Sequence, residues 1–397
     1  MSTPDTFGGK AVLTLAHVVG MIDMVALPVW IGALIQYYKY SPPQAGMTVT
    51  LFLLGVVLAS VFFAPRFNRT PRKLAATAGF VLGASAFFAA SLQPVGVDSF
   101  QTLAVLHALA GLGVGCALTF THGSIGRSAN PHRLFAAVNV VLGVFAVVFL
   151  GGMPQLLQHM SASILFTVIA TLMGLTALVM AVAFPSITDL SKVQGTDLPL
   201  AKVRIPGVSW FVIGVVMCLT LNQSMVFAFV ERIGADNGFG VARVNGVLIA
   251  LGLVNLLPGV LAALLQKKWS PVAVGMGGPV CQAILALVMT SAATFAPYAV
   301  AASLYVFMVI FTHTFLFGLL SRLDSSGRAA AATPAMMMIG ACIGPVLGGV
   351  IVQGLGYQGL GWAASLVALL ALIGMLQVRR YLPGTPQSNT AVAAAPA

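Results

Sequence analysis

The chain has 397 residues, of which 59% are hydrophobic and 7% are charged, and its mean hydropathy is +1.01. A soluble protein of this length would carry roughly 25% charged residues, so lipid must cover most of its outer surface. The net charge of +11 comes from basic residues scattered in short clusters between apolar segments, which argues against a nucleic-acid partner and fits the positive-inside bias of membrane proteins.

Twelve apolar segments are long enough to cross the hydrocarbon core, for which a helix needs about 20 residues. Because lipid offers no hydrogen bonds to the backbone, each segment is predicted to be a helix. The first six predicted spans are 11–36, 47–65, 74–93, 100–122, 134–153 and 161–184. The second six are 209–230, 244–266, 272–293, 298–320, 329–353 and 360–378. The predicted fold class is therefore an all-α membrane protein with twelve transmembrane helices.

The predicted spans divide into two pseudo-symmetric bundles of six helices. Residues 1–184 are predicted to form the N-terminal bundle and residues 209–380 the C-terminal bundle. Between them, residues 185–208 form a polar and basic segment that is predicted to be a cytoplasmic linker. The tail, residues 381–397, is rich in Pro, Ala, Thr and Ser, a composition typical of disorder.

The placement of charges predicts the orientation of the spans. With both termini in the cytoplasm, only Lys39, Arg232 and Arg243 of the 19 Lys and Arg residues lie on the outer side. One missed span would invert every later loop and destroy this asymmetry. We therefore predict a multi-pass protein of the bacterial inner membrane with both termini in the cytoplasm.

The loop after the second predicted span carries a motif of known type. It resembles a degenerate form of the signature G-x-x-x-D-R-x-G-R-R of the major facilitator superfamily. Ala64, Asn68 and Pro71 replace its Gly, Asp and Gly, while Arg69, Arg72 and Lys73 match its basic positions. The resemblance implies that Asn68, Arg69, Arg72 and Lys73 form a cytoplasmic gating loop. The alternative is that these cations only determine topology.

Two further segments support the resemblance. His107, Gly111 and Gly113 in the fourth predicted span follow the family pattern R-x-x-x-G-x-G, with His107 in place of arginine. A histidine can exchange a proton near neutral pH, so His107 is a candidate for proton coupling. The alternative is a neutral histidine that is hydrogen-bonded to a neighbouring helix.

The eleventh predicted span contains the pattern G-x-x-x-G-P-x-x-G-G, which antiporters of the superfamily carry in the fifth span. Its members here are Gly340, Gly344, Pro345, Gly348 and Gly349. Such a pattern kinks a helix and allows close approach of its neighbours. Three of its glycine positions, those of Gly340, Gly348 and Gly349, recur at the same spacing in the fifth predicted span, at Gly143, Gly151 and Gly152. This repeat implies two parallel six-helix units, as in the superfamily.

Asp23 is the only carboxylate that the predicted spans place near the middle of the membrane. An ionised carboxylate alone in hydrocarbon would cost several kcal/mol. Asp23 should therefore face a wet cavity, find a partner or hold a proton, and it is the first candidate for proton coupling. Because the resemblance implies that the first and seventh spans line the cavity, His17, Asn222 and Gln223 are candidate substrate ligands, with His313 as a polar counterpart in the tenth span. The alternative for these four is an interhelical hydrogen bond.

The leading functional hypothesis is proton-coupled secondary active transport of a small organic solute by alternating access. The central third of every predicted span lacks Lys and Arg, which favours neutral, cationic or weakly acidic solutes over multiply charged anions. No P-loop sequence occurs, so ATP is not the direct energy source. We expect a monomer that needs no cofactor and no resident metal ion, with the lipid bilayer, its solute and protons as partners.

Two other classes remain open. His17, Met21 and Met24 are spaced to share one helical face, and thioether ligands suit cuprous ion, so transport of a soft metal such as copper is an alternative. A membrane-embedded enzyme or sensor is a weaker alternative, because an enzyme should show clustered carboxylates or a nucleophile beside its base. We therefore expect no enzymatic activity.

Overall fold

A computed structural model describes residues 3–186, 206–323 and 333–382, and within these ranges every regular element is helical. The N-terminal bundle contains seven α-helices. They are α1 Phe7–Gly20, α2 Ile22–Gln36, α3 Pro42–Phe63, α4 Arg72–Ser91, α5 Phe100–Ile125, α6 Pro131–His159 and α7 Ile164–Ala183. Short 3₁₀ turns, Ala64–Arg66 and Val97–Ser99, lead out of α3 and into α5.

The described part of the C-terminal bundle begins at Pro206. Its helices are α8 Gly207–Phe227, α9 Val230–Asp236, α10 Val241–Val254, α11 Pro258–Leu265, α12 Pro271–Thr290, α13 Phe295–Leu323 and α14 Thr333–Tyr381. Three spans consist of two helical pieces each. The pieces meet at Met21 in the first span, at Ala228–Phe229 in the seventh and at Asn255–Leu257 in the eighth.

Helix α14 contains two membrane spans. Eleven apolar helical stretches long enough to cross a membrane occur in the described residues, and the last of them covers 46 residues. A straight helix of that length would measure about 69 Å, roughly twice the hydrocarbon thickness. The backbone leaves helical geometry at Gly356, with φ 67° and ψ −172°. A Cβ on Gly359 would lie 3.0 Å from Cγ2 of Ile351, so the chain reverses there and the twelve predicted spans are present.

The ends of the helices follow local sequence signals. Thr6 caps α1 by accepting a hydrogen bond from the backbone N–H of Gly9. Ser41 and Gln44 form a reciprocal capping box at the start of α3, and the Asn130 side chain caps α6. Such caps satisfy backbone donors that have no partner within the helix. They fix the starts of these spans a few residues before the predicted apolar boundaries.

The alternating spans define two faces of the molecule. We call the face at the start of α1 and the end of α14 the terminal face, and the opposite one the distal face. Among the described residues, two hydrogen bonds join the bundles, Arg232 to Gln36 and the backbone N–H of Val346 to Oγ1 of Thr50. Both lie toward the distal face, so the bundles are held together there.

Most of the predicted linker and tail lie outside the described residues. Helix α7 ends at Ala183 and α8 begins at Gly207, so the last two residues of the segment 185–208 belong to α8. The exact domain boundaries and the cytoplasmic position of the linker stay predictions.

Candidate functional site

Asp23 lies next to a break in the first span. Helix α1 ends at Gly20, Met21 has φ −97° and ψ 25°, and Asp23 is the second residue of α2. Asp23 is 5% exposed, and its Oδ1 has no hydrogen-bond partner among the described residues. The start of a helix favours negative charge, whereas burial of an unpartnered oxygen disfavours it. The helix start therefore favours the ionised carboxylate of Asp23, and burial favours its protonated form.

His17, which was predicted to contact the solute, pairs with a histidine of α5. Its Nδ1 lies 3.0 Å from Nε2 of His122, near the end of α5, and its own Nε2 has no partner among the described residues. His122 is half-buried and was missed by sequence reasoning. A pairing across 105 positions leaves no local pattern in the sequence.

His107 is enclosed by aromatic rings and is fully buried. The indole N–H of Trp30 donates to Nε2 of His107 at 3.2 Å, and Nδ1 of His107 lies 2.6 Å from the carbonyl oxygen of Leu103. Because the indole can only donate and the carbonyl can only accept, the ring is the neutral Nδ1–H tautomer. The rings of Trp30, Phe87 and Phe166 lie 5.2–5.4 Å from it, centroid to centroid. This geometry favours the hydrogen-bonded alternative, and a part in proton coupling stays a prediction.

The polar residues of the C-terminal bundle form a network around α8. Nδ2 of Asn222 donates to the carbonyl oxygen of Ala364 at 2.9 Å, and its Oδ1 has no partner among the described residues. The hydroxyl of Tyr305 donates to the backbone oxygen of Asn222 at 2.8 Å. Gln282 donates to the backbone oxygen of Leu219 at 3.1 Å, while its Oε1 is unpartnered. Sequence reasoning missed Gln282 and Tyr305, whose apolar surroundings in the chain gave no signal.

The other two predicted ligands are also buried. Gln223 is 9% exposed and His313 is 3% exposed. The His313 ring stacks on Phe317 at 5.6 Å, and its Nε2 has no partner within the described ranges. No described contact joins Asp23 or His17 to Asn222, Gln223 or His313. The predicted residues are thus divided between the two bundles, and in each bundle some of their polar atoms have no partner among the described residues and could be satisfied by a solute or water.

The predicted gating loop folds onto its own bundle. A guanidinium N–H of Arg127 donates to Oδ1 of Asn68 at 2.6 Å, and Arg72 approaches the same oxygen at 3.5 Å. Phe67 stacks on Phe120 at 5.6 Å, and the guanidinium of Arg127 lies 4.3 Å from the centre of the Phe67 ring. Asn68, Arg69 and Lys73 are exposed. A gating function of this loop stays a prediction.

The glycine pattern lies on the first limb of α14 and faces two helices. A Cβ on Gly344 or on Gly348 would lie 2.7 Å from backbone atoms of Met225 in α8, and one on Gly340 would overlap Met217 of the same helix. A Cβ on Gly349 would overlap the backbone of Pro42 in the other bundle. Small residues at these positions therefore let α14 approach both α8 and α3 closely.

The predicted soft-metal face is interrupted, because Met21 stands at the break between α1 and α2. Across the part of the chain that the structure describes, no three His, Cys, Asp or Glu side chains are grouped to hold a metal ion. Soft-metal transport stays an untested alternative.

Comparison with known proteins places this architecture. The sequence model of the family described as Major Facilitator Superfamily matches residues 13–333. The chain belongs to this superfamily. Among solved structures, the crystal structure of a D-xylose-proton symporter is similar with a TM-score of 0.73 and 16% sequence identity, covering 95% of this chain and 98% of that one. No curated protein matches the sequence. Membership and fold identify a multi-pass secondary transporter of small molecules.

Proposed function

We propose that this superfamily member couples the movement of a small organic solute to the movement of protons across the bacterial inner membrane, with Asp23 as the proton carrier. The observation that carries the proposal is the buried carboxyl of Asp23 at the break in the first span, where Oδ1 has no hydrogen-bond partner in the part of the chain that the structure describes. A carrier must meet each side of the membrane in turn, and a break in a cavity-lining helix is a usual position for such a group.

The coupling step follows from the cost of burying charge. While the carboxyl of Asp23 is ionised, an occluded state would hold an unpaired charge away from water. Taking up a proton removes that cost and lets the bundles close around the solute. Release of the proton on the other side restores the charge and favours reopening. The movement of the solute and the movement of the proton are then coupled by one conformational cycle.

The polar atoms of the C-terminal bundle suggest the class of solute. Among the described residues, three of the buried atoms without a hydrogen-bond partner are Oδ1 of Asn222, Oε1 of Gln282 and Nε2 of His313. Such groups recognise hydroxyl and amine hydrogens, which supports a neutral, cationic or weakly acidic solute rather than a multiply charged anion. A sugar, the solute named for the similar symporter, falls within this class. We include Gln223 and His17 as further candidate contacts.

The orientation proposal places both termini and the linker in the cytoplasm, on the strength of the charge asymmetry. A variant without the four native cysteines, carrying Ser388→Cys or Gln93→Cys, would test it in intact cells. An impermeant maleimide is expected to label the second position, which lies in the distal turn after α4, and to spare the first. Outside labelling at residue 388 would overturn the orientation.

The decisive test of coupling is Asp23→Asn in proteoliposomes with an imposed pH gradient. The asparagine has the shape of the protonated carboxyl, so exchange of labelled solute down its own gradient is expected to persist. Uphill, proton-driven accumulation is expected to be lost. Asp98→Asn, which changes an exposed carboxylate at the distal face, is the matched control and should behave as the parent protein. Undiminished accumulation by Asp23→Asn would show that Asp23 is structural.

A further inference from the structure

A second buried carboxyl lies at the junction of the two bundles. The distal face contains a cavity of about 450 Å³ between α2 and the end of α6 on one side and α9 and α10 on the other. Its charged lining residues are Glu231, Arg232 and Asp236, all on α9. The sequence prediction ended the seventh span at residue 230, whereas the helical stack continues to Asp236. Glu231 was therefore left outside the membrane by the prediction.

Arg232, the cation among these three residues, forms an ion pair with Asp236. A guanidinium N–H of Arg232 donates to Oδ1 of Asp236, and another donates to Oε1 of Gln36 at 3.3 Å. The second oxygen of Asp236 accepts a hydrogen bond from the hydroxyl of Tyr357 at 2.5 Å. Asp236 is thus satisfied as an anion. Among the described residues no hydrogen bond joins Arg232 to the carboxyl of Glu231. The charge of Arg232 still favours the ionised form of Glu231, but burial of that carboxyl and the nearby charge of Asp236 oppose it.

The carboxyl of Glu231 instead contacts the backbone of the other bundle. A Cβ placed on Gly32 of α2 would overlap Oε2 of Glu231, so this oxygen lies against the glycine. Oε2 is shielded from solvent and has no hydrogen-bond partner among the described residues. The residue as a whole is half-buried and lines the cavity, which gives its carboxyl a path to water.

The other groups that face Glu231 do not supply a counter-charge. Tyr37, at the end of α2, and Tyr298 of α13 are close enough to feel its charge; burial and then the Glu231 carboxylate raise the pKa of Tyr37. From α10 the guanidinium of Arg243 lies 5.5 Å from the centre of the Phe295 ring. The amide nitrogen of Asn245, also from α10, is buried and has no hydrogen-bond partner within the described ranges. The residues that α6 contributes, Pro154, Leu157 and Gln158, are not titratable.

We propose that Glu231 is a proton-binding site that controls closure of the distal face, separate from the carrier at Asp23. The protonated acid lies against Gly32 and allows the bundles to meet. Once ionised, the same group would leave a charged oxygen buried without a partner, a costly arrangement, so it favours the separated bundles in which water reaches it. Closure takes a proton from the distal solution through the cavity, and opening returns it. The inference rests on alternating access and not on the role of Asp23.

The sign of the pH effect follows from this linkage. Low pH keeps Glu231 protonated and favours the closed distal face. As the pH rises, ionisation increasingly favours the separated state, and the ratio of separated to closed molecules is expected to rise by up to about tenfold per pH unit. The rise ends when the carboxyl is ionised in both states.

The test measures distances across the distal face. Spin labels at Gln155→Cys on α6 and Asn237→Cys after α9, both exposed positions, would be placed in a cysteine-free parent in lipid nanodiscs. Distance distributions would be recorded from about pH 5 to about pH 9. The parent is expected to gain a longer distance as the pH rises, and Glu231→Gln to keep the short distance throughout. Glu231→Asp retains an acid and should retain a pH response, which separates proton binding from side-chain volume.

Two further variants separate this proposal from the function proposed above. Asp98→Asn is the control for an exposed carboxylate and should respond to pH as the parent does. Asp23→Asn should also retain the response, whatever its transport activity, because it leaves Glu231 intact. A parent without a pH response, or a response that survives in Glu231→Gln, would overturn the proposal. A response lost in Asp23→Asn but kept in Glu231→Gln would assign the proton to Asp23 instead.

Discussion

The indole of Trp30 and the imidazole of His107 are joined by a hydrogen bond of 3.2 Å between the first and fourth spans. Both side chains are fully buried. The second ring nitrogen of His107 is held by the carbonyl oxygen of Leu103 on its own helix. The pair thus fixes the rotation of α2 relative to α5.

Truncation of His107 is expected to destabilise the N-terminal bundle. His107→Ala leaves the Trp30 N–H without an acceptor and opens a cavity, which together should cost about 2–4 kcal/mol. The apparent melting temperature in detergent would measure the loss. His107→Gln, which can still offer an oxygen to Trp30, should recover much of it.

The same pair of variants tests whether His107 shares the proton. Because both ring nitrogens are engaged, His107→Gln is expected to retain uphill transport at every pH at which the parent shows it. Loss of proton-driven accumulation in His107→Gln, with solute exchange intact, would instead support a coupling role for His107.

The glycines of α14 provide a test of packing. Gly344→Ala and Gly348→Ala would each place a Cβ 2.7 Å from the backbone of Met225, and backbone cannot move aside as a side-chain tip can. We expect each change to cost about 1–3 kcal/mol and to lower the apparent melting temperature. Gly354→Ala is the control in the same helix, since nothing lies within 4 Å of its Cβ position. Helix propensity alone would favour alanine at all three positions, so an equal loss of stability in Gly354→Ala would show that contact with Met225 is not the cause.

The gating loop can be tested through Asn68. Asn68→Asp turns its hydrogen bond with Arg127 into an ion pair at an exposed site, worth about 0.2–1 kcal/mol. If the loop gates, this variant should shift the distances between labels on the two bundles at the terminal face. Asn68→Asp combined with Arg127→Gln should reverse the shift. Higher thermal stability with unchanged distances would show that the loop only braces its own bundle.

The sequence was sufficient for the fold because hydropathy and charge act on whole segments. The twelve spans emerge even where α14 runs through the eleventh and twelfth without a break other than Gly356. Span ends were less predictable. The acidic and basic residues at positions 231, 232 and 236 resemble a loop in the sequence, yet in the structure α9 continues the seventh span.

The sequence indicated which residues are candidates for the site, but it did not indicate which side chains they contact. Asp23 stands out in the chain because a carboxylate is rare in an apolar segment. The partners of His17 and His107 lie 105 and 77 positions away, and they depend on the rotation of each helix about its axis. No periodicity within a nearly uniformly apolar span encodes that rotation, so these contacts required the structure.

The last prediction concerns the contact between Gly32 and Glu231. In the parent protein, Gly32→Ala would bring its methyl group into Oε2 of Glu231, and the carboxyl would have to leave the interface. Because the obstacle is the tip of a flexible side chain, we expect a cost of about 1–3 kcal/mol rather than misfolding. In a Glu231→Ala background the obstacle is absent, so the same change should cost little. The difference between the two effects is the coupling energy of the pair. Apparent melting temperatures of the four proteins of this cycle, measured in one detergent at one pH, would provide it.

Gly214→Ala, where the Cβ position is open within 4 Å, is the control for inserting a methyl group elsewhere in the helices. If Gly32→Ala lowers stability as much with Glu231→Ala as without it, the added methyl group clashes with atoms other than the carboxyl. In that case Gly32 does not provide the space that the Glu231 carboxyl occupies.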